Sequence, residues 1–517
     1  MEEALLKAPH DAGRDSDDVP LSEVDAVNFG KPTIPRSIDL KPISKRFRKP
    51  WSRIATLAIV FVGSCFASGP VTSWPTFEPL LGKYHVLGST VNKTSPALSE
   101  VYVLGQGMLS VLGLPMGVVY DTIGPDKTAA LGGTLSVIGL VSMAFCITRP
   151  EYNWWLYWAY PVTVGGGGFC SYSVLGFMWL MPKHQTLIGS LLGASYSVSD
   201  AFALVGVGLI ADSVLTLPQF FYWLGAVGGL SGLLCWALSP NFHENKIFFL
   251  VANKDLLSAN QSKQTDDSKS GCLNNCRNLL DLVKKSRHVF WLHPAIISLV
   301  QVQLCIFYLA AMYPSLDMYD YFVTILGTEN ATGLVDTLPV VYGSFGTIFT
   351  LFSGWLCDRI GLVHYMHAVV WLQVGVAVCV MIPAYYAQLV WLVSWSILQQ
   401  SFIVIYMRFA ARYAPFELFG TFMGCMSTFM ALPQMIFGTS IQNLFKALYP
   451  DNTDPRRYTV IFLILNVLTV LSLLSLLYHW RFNPPPAAGS VVITTDKDGA
   501  FRVECAESKG VKVAAAR

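Results

Sequence analysis

The chain has 517 residues, of which 53% are hydrophobic and only 13% are charged, and its formal net charge is +2. A soluble domain carries about 25% charged residues, so this composition excludes an ordinary soluble protein. The small net charge gives no indication of a nucleic-acid partner.

The first 53 residues are predicted to form a disordered tail on the cytoplasmic side. Residues 1–25 are acidic, whereas a secretory signal needs basic residues followed by a short apolar core. Basic residues cluster instead in KPISKRFRKPWSR at 41–53, directly before the first apolar run. Such a cluster marks the cytoplasmic side of a membrane span, and it can also contact anionic lipid.

Twelve apolar runs follow, each long enough to cross a hydrocarbon core about 30 Å thick. In lipid the backbone must pair within each segment, so the runs are predicted to be helices. The predicted spans are 54–82, 99–120, 128–148, 154–181, 186–212, 217–239, 290–323, 335–357, 364–386, 389–412, 418–446 and 457–480. They form two six-helix bundles at 54–239 and 290–480, with a central cytoplasmic loop at 240–289 and a cytoplasmic tail at 481–517. A helix is predicted near 277–287 within the loop, whose default role is a passive linker.

The distribution of basic residues predicts the orientation in the membrane. With both termini in the cytoplasm, 29 of the 35 Lys and Arg residues fall on the inner side and six on the outer side. This follows the positive-inside rule, so we expect a multi-pass protein with both termini in the cytoplasm. The expected location of this protein is the plasma membrane. The sequons at Asn92 and Asn330 then lie in outer loops and are predicted glycosylation sites, whereas the sequon at Asn260 should stay unmodified.

Three short patterns recur between the two halves at nearly one offset. LPMGVVYDTIG at 114–124 matches LFSGWLCDRIG at 351–361, so a Gly-x-x-x-Asp-x-x-Gly motif ends the second and the eighth spans. GSLLG at 189–193 matches GTFMG at 420–424, and WPTFE at 74–78 matches YPSLD at 313–317. Because six spans separate the copies, the sequence predicts a parallel repeat about an axis normal to the membrane.

The duplicated motif and the twelve spans resemble the major facilitator superfamily over residues 50–482. In that family the motif is a cytoplasmic latch, whose Gly allows close helix packing and whose Asp faces the N-terminus of a neighbouring helix. The resemblance assigns this gating role to Gly117, Asp121, Gly124, Gly354, Asp358, Arg359 and Gly361. The first copy departs from the family pattern because Thr122 stands where a basic residue is usual, and the second lacks the trailing basic pair.

A narrower resemblance is to the amino-acid transporters related to solute carrier family forty-three, including the apicomplexan amino-acid transporters. It is carried by SWPTFEPLL at 73–81, by the Asp-x-x-Gly-Pro form of the latch at 121–125 and by the proline-broken seventh span. This resemblance implies an alternating-access uniporter or exchanger for amino acids. The expected protein is a monomer in the lipid bilayer, with no cofactor and no metal.

The candidate substrate contacts are Trp74, Glu78, Asp200, Gln301 and Asp317. Glu78 and Asp317 occupy matching positions beside prolines, and acids facing one cavity would favour a cationic amino acid such as arginine or lysine. The alternative is that both are solvated in the outer headgroup zone. Asp200 is the deepest acid in the chain, and it is expected either to act in substrate binding or coupling or to pair with a polar neighbour. The glutamines of the seventh and tenth spans, Gln301, Gln303, Gln399 and Gln400, are expected to supply at least one substrate contact.

Two other functions stay open at this point. The first is transport of another small organic solute, such as a monocarboxylate or a sugar. The second is a nutrient sensor that binds its solute without transport and signals through the central loop. An enzyme is not expected, because the sequence has no nucleotide-binding loop, metal-ligand cluster or nucleophile elbow.

Overall fold

The computed structural model describes residues 44–68, 74–89, 96–252, 272–302, 318–339, 341, 345–433, 444–445, 447–451, 454–485, 491–495 and 501–505. The first half consists of helices packed side by side. In chain order they are α1 (Pro50–Ser68), α2 (Trp74–Lys83), α3 (Pro96–Val111), α4 (Gly113–Ile123), α5 (Pro125–Thr148), α6 (Leu156–Leu175), α7 (Gln185–Ala211) and α8 (Leu217–Leu238).

Local sequence explains several of these boundaries. Pro125 is the first residue of α5, a position where the missing proline N–H costs nothing. α8 begins with a capping box, in which Thr216 Oγ1 accepts the Gln219 N–H and the Gln219 side chain accepts the Thr216 N–H at 2.9 Å. These two helices therefore start where an unsatisfied N–H group is either absent or capped.

The segment predicted as the central loop contains two helices, α9 (Phe242–Ala252) and α10 (Cys272–Lys285). The second corresponds to the helix expected near 277–287, and the first is not predicted. A short 3₁₀ helix, Lys45–Phe47, precedes α1, and another, Phe416–Leu418, lies in the second half.

The second half repeats the helical architecture. Its helices are α11 (Pro294–Val302), α12 (Met318–Leu326), α13 (Thr328–Pro339), α14 (Gly346–Ile360), α15 (Leu362–Cys379), α16 (Tyr385–Tyr413), α17 (Phe419–Pro433) and α18 (Arg456–Phe482). The outer loop expected around Asn330 is helical in α13, and Glu329 in its first turn favours the helix N-terminus. Beyond α18 the tail forms an antiparallel hairpin, β1 (Val491–Thr495) and β2 (Phe501–Cys505), with Val491 opposite Cys505.

Within the described residues, seven helices are long and apolar enough to cross a membrane. They are α1, α5, α8, α15, α16 and α18, together with the continuous stretch Glu100–Ile123 that joins α3 to α4. The other five predicted spans correspond to α6, α7, the α11–α12 pair, the α13–α14 pair and α17.

One hydrophobic core continues through both halves. Part of it lies at the end of the molecule that carries Gly124, Gly361 and the 3₁₀ helix Phe416–Leu418, which we call the motif face. Buried residues of the first half, such as Tyr120 and Trp179, belong to the same core as Phe416 and Phe419 of the second half. Helix α4 packs on α17, and α14 packs on α7, so each half reaches across to the other. These two crossings position the candidate site.

Candidate functional site

Asp121 joins the two halves at the crossing of α4 and α17. It lies in the last turn of α4 and is buried, 8% exposed. Its Oδ1 accepts the Gly420 N–H at 2.8 Å, and its Oδ2 accepts the Thr421 N–H at 2.6 Å. These N–H groups belong to the first turn of α17, where they have no partner within the helix. The carboxylate therefore caps a helix of the other half and complements the positive end of its dipole.

Asp358 makes the corresponding contact at the crossing of α14 and α7. Its Oδ1 accepts the Thr186 N–H at 3.3 Å, and its Oδ2 accepts the Leu187 N–H at 3.0 Å. Thr186 and Leu187 are the second and third residues of α7, just as Gly420 and Thr421 are the second and third residues of α17. The two halves thus cap each other reciprocally through matching carboxylates.

The second crossing has a cation that the first lacks in the described part of the chain. Arg408 on α16 places Nη1 3.0 Å from Asp358 Oδ1, with the two side chains 16% and 6% exposed. The same nitrogen donates to Thr186 Oγ1 at 3.4 Å. Arg359, the predicted basic residue of the motif, lies instead with its guanidinium carbon 5.4 Å from the ring centroid of Trp355. Arg408 is not among the residues predicted from the sequence, although a lone arginine inside an apolar span is itself a signal of function.

Small residues bring the capped helices into backbone contact. Gly113 and Gly117 of α4 face Gly420 and Gly424 of α17, and a Cβ at Gly117 would overlap the Gly420 carbonyl group. A Cβ at Gly424 would likewise overlap the Gly113 carbonyl oxygen. Close approach of this kind is what small residues allow between membrane helices. Asp121 can therefore reach the α17 N–H groups because the two helices have no side chains between them.

The second glycine of each motif copy adopts the same unusual backbone conformation. Gly124 has φ 94° and ψ 163°, and Gly361 has φ 79° and ψ 160°. Residues with a Cβ avoid this region, so glycine is required at both turns. The repeat is therefore visible in the backbone: each glycine ends the helix that carries the carboxylate, and the next helix starts at the following residue.

An aromatic cluster covers the seam between the halves on the motif face. Phe416 of the second half packs against rings of the first half and of the central segment, with centroids 5.4 Å from Trp179, 5.4 Å from Phe242 and 5.0 Å from Phe249. Trp179 also lies 5.2 Å from Phe419. We call these five residues the aromatic cluster. Two of its members come from α9, so this helix of the central segment is part of the contact between the halves.

Helix α10 lies across the first crossing. Its Leu279 and Leu282 are buried against Leu418 of the second half and Val118 of the first. The central segment thus contacts both halves through α9 and α10 rather than linking them at a distance.

The predicted substrate contacts differ in what the structure shows of them. Trp74 is buried, its indole N–H donates to the Leu98 carbonyl at 3.1 Å, and its ring lies 4.4 Å from Tyr160. Gln301 is exposed on α11. Glu78 belongs to α2 and Asp200 to α7, but their side chains, like the whole of Asp317, lie outside the described part of the chain.

Two polar side chains of α16 lie buried where the halves meet. Ser396 is 1% exposed and Gln400 is 3% exposed, and neither Ser396 Oγ nor Gln400 Oε1 has a hydrogen-bond partner among the described residues. Gly193 of α7 faces Gln400, because a Cβ built there would lie 3.5 Å from Gln400 Oε1. A buried amide oxygen without a partner is costly, so this position suits a polar ligand group. Gln303 lies outside the described residues, as does the side chain of Gln399.

Comparison with protein-family models matches residues 86–439, more than half of the chain, to the Major Facilitator Superfamily. The chain belongs to the major facilitator superfamily. As a member, it is a multi-pass membrane protein and a secondary transporter of small solutes rather than an enzyme.

Solved structures share the fold of this superfamily member at low sequence identity. The proton:xylose symporter XylE bound to 6-bromo-6-deoxy-D-glucose aligns at 12% identity and a TM-score of 0.54, over 84% of this chain and 96% of that one. FucP in the outward conformation aligns at 13% identity and 0.50, over 82% and 99%. A bacterial homologue of the iron transporter ferroportin in an outward-facing state aligns at 12% and 0.50, over 82% and 99%. The predicted facilitator fold is confirmed, and the hairpin β1–β2 is an addition to it.

Proposed function

We propose that the protein is an alternating-access carrier and that the two crossings hold its motif face closed. The observation that carries this proposal is the reciprocal capping of α17 by Asp121 and of α7 by Asp358. Each carboxylate can make these bonds only while the halves are together on the motif face. Hydrogen bonds to charged groups contribute about 1.5–3 kcal/mol each, so the caps bias the protein towards this state. Opening of the motif face has to break all of them.

We place the motif face in the cytoplasm and both termini with it. The excess of Lys and Arg on this side supports the orientation. A carrier closed on its cytoplasmic side faces outward, and two similar structures, those of FucP and of the ferroportin homologue, are in outward states. In this orientation Asn330 is exposed in the first turn of α13 on the outer side, where it remains a proposed glycosylation site together with Asn92.

We propose an amino acid as the transported solute and the plasma membrane as the location. Support for the substrate comes from the resemblance of SWPTFEPLL at 73–81 and of the Asp-x-x-Gly-Pro latch to the amino-acid transporter branch. The symmetry-related acids Glu78 and Asp317 favour a cationic amino acid such as arginine or lysine. Without a basic partner predicted for Asp200, a uniporter or exchanger is preferred over a proton symporter.

We propose that Gln400 contacts the solute and that Trp74 supports the fold. Gln400 Oε1 is a buried acceptor without a partner, and an ammonium or amide donor of a substrate would satisfy it. The indole N–H of Trp74, which is the only hydrogen-bond donor of its side chain, already donates to the Leu98 carbonyl. Ser396, one turn before Gln400, adds a hydroxyl to the same helix face.

The substrate proposal is tested by uptake of a radiolabelled amino-acid panel into oocytes that express the protein, with Glu78→Gln and Asp317→Asn as matched variants. Arginine or lysine uptake that both variants abolish supports the amino-acid and the acidic-site proposals. Neutral amino-acid uptake that both variants leave unchanged supports the amino-acid proposal and rejects the acidic-site proposal. Absence of amino-acid uptake by protein that is present at the cell surface rejects both proposals, in favour of a carrier of another solute or of the sensor.

A further inference from the structure

The described segment before α1, residues 44–49, is hydrogen-bonded to the motif face through Ser44. Ser44 is half-buried, and both its N–H, at 3.1 Å, and its hydroxyl donate to Glu244 Oε1. Glu244 is 4% exposed. Its Oε2 accepts the Asn241 N–H at 3.1 Å, and its own N–H donates to Asn241 Oδ1 at 2.8 Å, which forms a capping box at the start of α9. The buried carboxylate of Glu244 therefore caps the N-terminus of α9 and also accepts the hydrogen bonds from Ser44.

Two arginines, Arg46 of this segment and Arg53 in the first turn of α1, bind backbone carbonyl groups of the first half. Arg46 donates to the carbonyl groups of Ala237 and, at 3.3 Å, Ser239, at the end of α8. Arg53 donates to the Leu180 carbonyl at 2.9 Å, and its guanidinium carbon lies 4.9 Å from the Phe248 ring of α9. Cations at helix C-termini are favourable, so the segment contributes to holding α9 in place.

Helix α9 in turn contacts the second half through the aromatic cluster. Phe242 and Phe249 lie 5.4 Å and 5.0 Å from Phe416, and Phe416 leads directly into α17, which Asp121 caps. Ser44 is therefore linked to the second half through Glu244 and α9. A chemical change at the Ser44 hydroxyl therefore affects the residues that hold α9 in contact with the second half.

We propose that Ser44 is a phosphorylation site and that its phosphate releases α9 from the motif face. Ser44 is followed by Lys45, Arg46, Arg48 and Lys49, a surrounding that suits a serine kinase with a preference for basic residues. In the reaction Ser44 Oγ forms a bond to the γ-phosphorus of ATP while the bond from that phosphorus to the β,γ-bridging oxygen breaks. The hydroxyl proton passes to the base of the kinase, and ADP leaves.

The phosphate cannot occupy the place of the hydroxyl. A phosphoserine carries a charge of about −1.5 to −2 at pH 7 and no longer donates a hydroxyl proton. In the docked segment this charge would contact the buried Glu244 carboxylate, and like charges in a low-dielectric site repel strongly. The phosphorylated segment therefore leaves Glu244, and α9 loses the contacts that hold it against Phe416. This consequence rests on the proposed gate and on the cytoplasmic orientation of the motif face.

The test uses the full-length protein in phosphatidylcholine nanodiscs, incubated with ATP and the catalytic domain of a kinase that prefers basic substrates. Mass spectrometry measures phosphate on the peptide that contains Ser44. Spin labels on non-natural residues at positions 127 and 364, exposed on the motif face in opposite halves, report the distance between the halves. We expect Ser44 to be phosphorylated and the longer-distance population to become the major one. Ser44→Ala should keep the short distance in the presence of kinase.

A second pair of variants tests the charge mechanism without a kinase. Ser44→Asp should lengthen the distance, and Glu244→Gln in the Ser44→Asp background should shorten it again because the repulsion is removed. No phosphate on Ser44, while other serines of the chain are modified, would overturn the assignment of the site. Full modification with an unchanged distance would overturn the release of α9.

The combined variant Asp121→Asn/Asp358→Asn separates this inference from the gate. If that variant lengthens the distance and phosphorylated Ser44 does not, the inference fails and the gate stands. If neither lengthens it, both fail. Uptake of solute enters none of these readouts, so the substrate proposal is judged separately.

Discussion

At the crossing of α14 and α7, Asp358 has two kinds of partner: the first-turn N–H groups of α7 and the guanidinium of Arg408. Asp121 at the other crossing accepts the N–H groups of Gly420 and Thr421 but pairs with no cation among the described residues. Neutralising the two carboxylates therefore has different consequences. Of the two Asp→Asn substitutions, only the one at Asp358 leaves a buried cation, Arg408, without its partner.

We predict that Asp358→Asn destabilises the protein more than Asp121→Asn. Breaking a buried ion pair by removing one partner costs about 3–5 kcal/mol, whereas weakening a charged hydrogen bond costs about 1–2 kcal/mol. Thermal unfolding in nanodiscs measures the difference, and Asp358→Asn/Arg408→Gln is the control that removes the orphaned charge. A Tm for Asp121→Asn as low as that for Asp358→Asn would contradict the unequal roles.

Trp74 gives a prediction that separates packing from substrate binding. Trp74→Phe keeps an aromatic ring beside Tyr160 but loses the hydrogen bond to Leu98, which costs about 1 kcal/mol of stability. Once a transported solute is known, its KM should be unchanged in this variant. A tenfold rise in KM would instead place Trp74 in the substrate site, as first expected from the sequence.

At the scale of elements, the crossing of α4 and α17 depends on the lack of side chains between two backbones. Gly117→Ala places a Cβ where the Gly420 carbonyl lies, and overpacking of this kind costs about 1–3 kcal/mol. The matched control is Gly375→Ala on α15, where a Cβ would meet nothing within 4 Å. We expect the first variant to lower the Tm and the second to leave it unchanged. Equal Tm values would mean that the close approach is not needed for stability.

The contact of α9 with the second half is tested at Phe416. Its side chain is 5% exposed, and Phe→Ala in a packed core costs about 3–5 kcal/mol. We predict that Phe416→Ala lowers the Tm and increases the population that is open on the motif face. Phe482→Ala, at a ring 68% exposed at the end of α18, is the control and should change neither. A lower Tm without an increase in the open population would mean that Phe416 contributes to packing but not to closure of the motif face.

For the whole molecule, the sequence predicts the membrane spans, the repeated motif turns and the helix near 277–287, but it does not predict α9 or the contacts between the halves. The apolar runs predict the helices because backbone pairing in lipid leaves no other choice, and the paired glycines and acids mark the turns at Gly124 and Gly361. The ion pair of Asp358 with Arg408 needs the packing of α16 against α14, which no local pattern specifies. Its one sequence signal is a charged residue inside an apolar span.

The contacts of the central segment are the least predictable from sequence. Ser44 and Glu244 are 200 residues apart, and neither belongs to a repeated motif. The phenylalanines of α9 lie between the two bundles, in the segment that is predicted to be a linker. They become part of the core only because Phe416 packs against them. The positions of these residues depend on long-range packing, which local sequence propensity does not predict.

The most direct test of the gate is the distance between spin labels at 127 and 364 in full-length protein without substrate, measured by electron–electron double resonance. We predict a single short-distance population in the wild-type protein and a second, longer one in Asp121→Asn/Asp358→Asn, because the two capping side chains, which accept four hydrogen bonds across the seam, lose their charge. An unchanged distribution in that variant would show that the carboxylates do not hold the motif face closed, and it would contradict the proposed gate.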